Sequence, residues 1–304
     1  MTADGDVALT YKWTNAALDS TTYATSENGT AITNLFDEAD PNKSSSEPGE
    51  VTWLSRSNWV ATFPTQPVVL NATQTLADHL AFTRYDGSKA DSVEMPTLGA
   101  DNGLALVSMI GADYDDPQWD TLLDQLTFNE MVNTITLGFH NTAAVESIGK
   151  TRTKDENGPQ GLTAALTGGA SAMCYTSEDV MAATFNVDLI NDVGRCIGED
   201  CLAMGYSGLY GPGINMHRTA YSGRNFEYYA SDPFVAGTIC AAEVNGIQSK
   251  GVYVYLKHVA LNDSESSRRG VNTWLNEQAA RANLPGSCRQ GHHRWRCLER
   301  YDRL

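Results

Sequence analysis

Residues 188–213 read DLINDVGRCIGEDCLAMGYSGLYGPG. Leu189, Ile190, Val193, Ile197 and Leu202 recur at helical spacing, which predicts an amphipathic helix stopping at Gly205. GLYGP follows as a short strand that runs into a polar loop. This is one helix–strand unit, and the flanking sequence repeats its logic. Upstream, Thr127 and Glu130 make a capping-box pair ahead of FNEMVNTITL, which ends at Gly138. TLLDQL before it is a helical turn or two, and Ser177 can cap SEDVMAATF. Downstream, Pro233 opens a helix that runs through Ile247 and stops near Gly251. VYVYL is the next strand, with Lys257 and His258 at its C-terminal end, and a further helix begins over 276–282. Helices and strands alternate, with polar clusters just after the strands, as in a parallel α/β barrel whose site lies on the loops after the strands. A doubly wound sheet gives the same local pattern, so periodicity alone does not choose between them.

The remaining sequence sets the boundaries. Residues 1–118 are rich in turn formers, as in DEADPNKSSSEPGE, and read as an irregular N-terminal segment with a few short strands and helices. Residues 119–281 carry the α/β pattern. Residues 282–304 turn Arg-rich and lose aliphatic periodicity, which reads either as a basic binding tail or as a change of reading frame near Arg281. The chain has 304 residues, 41% of them hydrophobic, enough for a packed core. Its net charge of -16 repels phosphate backbones, so nucleic acid is an unexpected partner. No apolar run is long enough for a membrane helix, and no signal peptide is seen at the start, which leads us to expect a cytoplasmic protein. None of the six cysteines forms a CxxC pair or stands at zinc-ligand spacing from histidine, so they read as buried thiols. No metal or cofactor is expected.

Three segments could carry chemistry. GPGINMHRTAYSGRNFEYYASDPF (211–234) packs arginines, a histidine, a glutamate and aromatics into one post-strand loop. Groups that hydrogen-bond hydroxyls beside aromatic faces suit a sugar, although an ordered loop with an internal Arg–Glu pair explains the same residues. KHVALNDSE (257–265) places Lys257 and His258 at a strand end, as ligand contacts or as solvated groups. Because successive strand residues face opposite ways, both reach one ligand only if the strand ends or bulges there. DENGPQGL (155–162) is turn chemistry, with Asp155 and Asn157 as candidate acceptors for sugar hydroxyls or as parts of a plain turn.

Taken together, NGPQG, GPGINMHR, GRNFEYYASDP and KHVALN occur in the order and near the spacing of the D-G-P-x-G, GPGxNxxR, GRNFEYxSEDP and KHFAxN motifs. The chain thereby resembles glycoside hydrolase family 3 of the β-glucosidase type, over roughly residues 119–281. ENGTAITNLFDEAD and TWLSRSNWVATFP resemble the segment before the barrel in members whose smaller α/β domain comes first. The resemblance implies a partial (β/α)8 TIM-type barrel and retaining hydrolysis of terminal β-D-glucosyl or similar residues. The implied substrate is a small glycoside or oligosaccharide. Arg224, Lys257 and His258 would bind its hydroxyls, with Asp155 and Asn157 beside them. Two positions depart from the pattern: Asn157 stands where DGP has Asp, and Ser231 stands where SEDP has Glu. The family's nucleophile sits in a later SDW-type motif, which this sequence does not contain. The expectation is therefore a sugar site without bond-breaking carboxylates, either a portion of a hydrolase or a sugar-binding pseudoenzyme, or else the inactive product of a broken gene. Asp263 and Glu265 read as loop acids rather than replacements.

Overall fold

The computed structural model describes residues 24, 25, 29, 31, 58–62, 73–81, 94–163, 168, 171–266, 268, 269, 273, 275 and 280. The chain divides into two units, Met1–Tyr85 with Asn272–Ala282, and Asp86–Val271 with Asn283–Leu304. The first contains short helices at Trp59–Thr62 and Gln74–Leu80. The second carries all the motifs. The expected helix over 276–282 lies outside the described residues except for Ala280, and the Arg-rich tail lies wholly outside them.

The second unit is an α/β fold on a mixed sheet. Its elements are α1 (Gln118–Leu123), α2 (Phe128–Thr136), β1 (Asn141–Thr142), β2 (Thr153–Asn157), α3 (Glu178–Ala183), α4 (Val187–Ala203), β3 (Gly208–Tyr210), α5 (Pro233–Gln248) and β4 (Tyr253–Val254). The strands lie in the order β1-β2-β3-β4. β1 is antiparallel to β2, while β2, β3 and β4 run parallel with helices between them. Parallel neighbours need such crossovers, because a tight turn cannot return the chain to the same end of the sheet.

The helix ends follow local chemistry. Thr127 Oγ1 accepts from Glu130 N at 3.3 Å while the Glu130 carboxylate accepts from Thr127 N at 2.9 Å, so the capping box forms. Ser177 is the N-cap of α3 but makes no cap bond; its hydroxyl donates to Asp179 instead. Asn186 caps α4 by accepting from Leu189 N at 3.1 Å, and Asp232 caps α5 by accepting from Val235 N at 2.9 Å.

α4 and α5 pack backbone to backbone. A Cβ on Gly194 would lie 2.2 Å from Glu243 O, and one on Gly246 would lie 2.2 Å from Asn191 O. Each helix therefore presents a glycine where the other's main chain passes. Asn191 Nδ2 ties the crossing by donating to Ala242 O at 3.0 Å. This contact corrects the expected face of α4. Ile190, Gly194, Ile197, Gly198 and Cys201 are buried, whereas Leu189 and Leu202 are 47% and 49% exposed. The glycines, which carry no hydrophobic signal, set which way the helix turns. Ile190, Ile197, Leu209, Ile214 and Ile247 fill the core between helices and sheet. Each such side chain contributes about 1.5–3 kcal/mol on burial. Of the described cysteines, Cys201 and Cys240 are buried and Cys174 and Cys196 are exposed, so the buried reading fits only the first two.

Candidate functional site

The site rests on β2, which reads TKDEN and contains no apolar residue. A period-2 strand places Asp155 and Asn157 on one face. That face is polar because Tyr253 of β4 and Tyr255 just beyond it answer it with hydroxyls. Tyr253 Oη donates to Asp155 Oδ1, and Tyr255 Oη donates to Oδ2 at 3.2 Å. Gly208 lets Tyr253 cross β3 to reach Asp155: a Cβ there would lie 2.1 Å from the Tyr253 ring and 2.7 Å from Asp155 Oδ1. The Tyr210 ring lies between His140 and Tyr255, at centroid distances of 4.3 and 4.6 Å. Burial pushes the Tyr253 and Tyr255 phenols up, so they remain donors. Asp155 is 1% exposed. It is set below the strand end, engaged by these two phenols.

Asn157, at the C-terminal end of β2, is placed differently. Its Oδ1 accepts from Lys257 Nζ at 2.6 Å. β4 stops at Val254, and the chain continues to Lys257, which bridges to Gly213. The peptide between Lys257 and His258 is cis. Lys257 Nζ also lies 3.4 Å from Glu227 Oε2. Glu227 takes Arg224 in a two-pronged pair, Nε to Oε1 at 2.8 Å and Nη2 to Oε2 at 2.7 Å. The side chains of Lys257, Glu227 and Arg224 are 13%, 10% and 19% exposed. Burial draws the Lys257 ammonium down, with Glu227 opposing. Burial raises Glu227, but the Arg224 hydrogen bonds and the Lys257 charge outweigh it and hold the carboxyl below its usual range.

His258 joins from the other side. Its Nδ1 lies 2.9 Å from Tyr228 Oη, which accepts from Asn262 Nδ2 at 2.7 Å. Asn262 Nδ2 also donates to Glu265 Oε1 at 3.1 Å, and Arg224 Nη1 reaches the same oxygen at 3.3 Å. Burial, with the Arg224 and Lys257 charges, lowers His258 to about 4, so the ring is neutral at pH 7. Asp263 pairs with Arg218 at 3.5 Å and accepts from Asn215 at 3.1 Å. Asp263 and Glu265 are thus both held by cations, as loop acids that brace the site. Among the described residues no cluster could hold a metal ion, and no helix is long and apolar enough to cross a membrane.

The structure therefore draws Asn157, Arg224, Lys257 and His258 into one connected network and leaves Asp155 two residues deeper. Sequence reasoning did not single out Tyr228, Asn262 or Glu227 as members; the last was visible only as an Arg–Glu pair at i, i+3 spacing. Ser231 is exposed. A cavity of about 510 Å³ lies elsewhere, lined by Thr136, Leu137, Phe139, Asn141, Ala143 and Arg152 among others, and none of the motif residues line it.

Comparison with known proteins follows the same residues. A family model described as "Glycosyl hydrolase family 3 N terminal domain" matches residues 132–282. A β-glucosidase from Rhizobium radiobacter is 33% identical over 165 residues, covering 53% of this chain and 20% of that protein. The crystal structure of a Bifidobacterium adolescentis GH3 β-glucosidase is 30% identical with a TM-score of 0.51, over 56% of this chain and 25% of that one. A β-glucosidase from Kluyveromyces marxianus, crystallised with glucose, is 26% identical with a TM-score of 0.52, over 57% and 21%. The chain spans about a fifth of the length of the curated relatives it matches.

Proposed function

We propose that this chain, whose residues 132–282 belong to glycosyl hydrolase family 3, supplies the sugar-holding part of a β-glucosidase-type site. In this reading β2, β3 and β4, adjacent in chain order with helices between, are strands of a (β/α)8 barrel, and the site lies beyond their C-terminal ends. The observation that carries the proposal is convergence. Asn157 at the end of β2 and Arg224 and Lys257 from two separate post-strand segments meet, Asn157 through Lys257 and the two cations through Glu227, with His258 tied in through Tyr228, Asn262 and Glu265. Arg224, Lys257 and His258 donate to hydroxyls of a terminal β-glucosyl unit, and Asn157 accepts. The substrate class is a small glycoside or oligosaccharide, as the glucose-bound relative suggests.

Glu227 and Glu265 are each paired to Arg224, so neither stands free as a nucleophile. A retaining mechanism needs two carboxylates about 5 Å apart flanking the bond, one to attack and one to protonate the leaving oxygen. The described residues therefore hold sugar without cleaving it, and hydrolysis is the work of a nucleophile and an acid supplied elsewhere. The test is a chromogenic aryl β-glucoside assay on folded, monomeric chain. The expected rate equals that of buffer. Turnover above roughly 1 per second, within the ordinary enzyme range and abolished by Asp263→Asn or Glu265→Gln, would contradict it.

A further inference from the structure

A neutral imidazole carries its proton on one nitrogen, and its neighbours decide which. For His258 that decision can be traced from a fixed point. Glu265 lies between Arg224 and Arg268, at 3.3 and 2.9 Å. Burial works against its charge, but hydrogen bonds from Asn262 and Arg224 and the guanidinium charges hold the carboxyl below its ordinary value. An ionised carboxylate only accepts. The Asn262 atom 3.1 Å from Glu265 Oε1 is therefore the amide nitrogen, since a carbonyl oxygen there would face another acceptor. The same nitrogen donates to Tyr228 Oη at 2.7 Å. The phenol has spent a lone pair on Asn262, and its one proton is left for His258 Nδ1 at 2.9 Å. Tyr228 is 0% exposed, so a phenol proton not given to Nδ1 would have no bulk water to turn to.

We propose that Glu265, Asn262 and Tyr228 form a relay that fixes His258 in its Nε2–H tautomer, so that the ring presents a donor, not an acceptor, to the bound sugar. Direction is set at Glu265 and passed along by two residues whose donor and acceptor roles cannot both reverse. The three act as positioning residues; His258 makes the contact. The tautomer assignment stands on the hydrogen-bond geometry and on the charge of Glu265 between its two arginines, and does not depend on a sugar contact. Its consequence for affinity rests on the reading of His258 as a sugar contact.

The experiment is long-range 1H–15N correlation NMR of the 15N-histidine-labelled chain. His258 is identified among the six histidines by the signals lost in His258→Gln. Each sample is then titrated with glucose. The wild-type spectrum at pH 7 should show His258 neutral and protonated on Nε2. Asn262→Asp puts a carboxyl oxygen where the amide nitrogen was; it shares one proton with Glu265 and can only accept from Tyr228, so His258 Nδ1 donates to the phenol and the ring proton moves to Nδ1. Tyr228→Phe keeps the ring packing and removes the instruction, leaving a mixture of tautomers. Asn262→Asp should weaken glucose by about tenfold, the order of one lost hydrogen bond, and Tyr228→Phe by about twofold, because half of an even mixture keeps the donor. A wild-type His258 protonated on Nδ1, or an Asn262→Asp spectrum still showing Nε2–H, overturns the relay. The wild-type spectrum is decisive even if a variant does not fold. If the tautomers move as stated and glucose affinity does not, the relay stands and the sugar-contact role of His258 falls.

Discussion

Glu227→Gln tests the electrostatic centre of the site. Glu227 is buried and sits between two cations, with two hydrogen bonds to Arg224 at 2.8 and 2.7 Å and Lys257 at 3.4 Å. Glutamine keeps the volume and one acceptor oxygen but removes the only charge separating Arg224 from Lys257 in that contact. Removing one partner of a buried pair costs about 3–5 kcal/mol, because the remaining charge is left uncompensated. Here the side chains are 10–19% exposed and Arg224 keeps Glu265, so the expected loss is smaller, about 2–3 kcal/mol. That is a large share of a typical domain stability of about 5–15 kcal/mol. The pH dependence has a definite sign. The Glu227 carboxyl is held below its ordinary value of 4.5. Its contribution is therefore complete above that value and is lost as pH falls through the lower folded value. Urea unfolding at pH 7 and near pH 3 reads both quantities. A Glu227→Gln protein within about 0.5 kcal/mol of wild type at pH 7, the scatter of ordinary surface changes, would refute the buried-pair account.

Other consequences are as direct. Gly194→Val puts a Cβ 2.2 Å from Glu243 O, so the α4–α5 crossing should open and urea unfolding should show a loss above about 3 kcal/mol. Gly205→Asn, at φ +76° with nothing nearby, should stay within about 1 kcal/mol in the same assay. Asp155→Asn keeps one acceptor for two phenols and should cost about 1–2 kcal/mol, read by thermal unfolding. Glu178 and Glu243 are 0% exposed, and burial raises both carboxyls, Glu178 further because Glu243 is near. Groups raised in the folded state lend stability in acid and lose it as pH climbs above 4.5. Glu178→Gln should therefore flatten the alkaline side of the stability profile, by up to about 1.4 kcal/mol per pH unit across that window; an unchanged slope would count against a buried acid.

The parts of this architecture that announce themselves are those with local chemistry. The Thr127–Glu130 box, Pro233 at the first turn of α5 and the short apolar strand at Leu209 follow from residue types a few positions apart. β2 does not announce itself. TKDEN has no apolar residue, and its burial depends on Tyr253 and Tyr255, about 100 residues away, which answer Asp155 with hydroxyls. The buried face of α4 differs from the one its aliphatic spacing predicts for a related reason: glycines that carry no hydrophobic signal make its closest contact. Ser177 looked like a cap because serine usually is one, but Asp179 takes its hydroxyl. At the site, motif order pointed to Arg224, Lys257 and His258. The tyrosine and asparagine tied to His258 are visible only in space, since Tyr228 and Asn262 lie 34 positions apart. Glu265 has the sequence setting of a loop acid, and in space it anchors the far end of that chain of bonds.

Titration of the folded chain with glucose, followed by amide NMR, tests the central claim most directly. Two charge-assisted contacts at about 1.5–3 kcal/mol each and two neutral ones at about 1 kcal/mol each, offset by the cost of immobilising the sugar, imply affinity in about the millimolar range. The account predicts saturable shifts in the millimolar range, centred on residues around Asn157, Arg224 and His258. They should be lost in Lys257→Met while the rest of the spectrum stays folded. Absence of saturable shifts, or shifts that survive Lys257→Met unchanged, would contradict a sugar site at these residues.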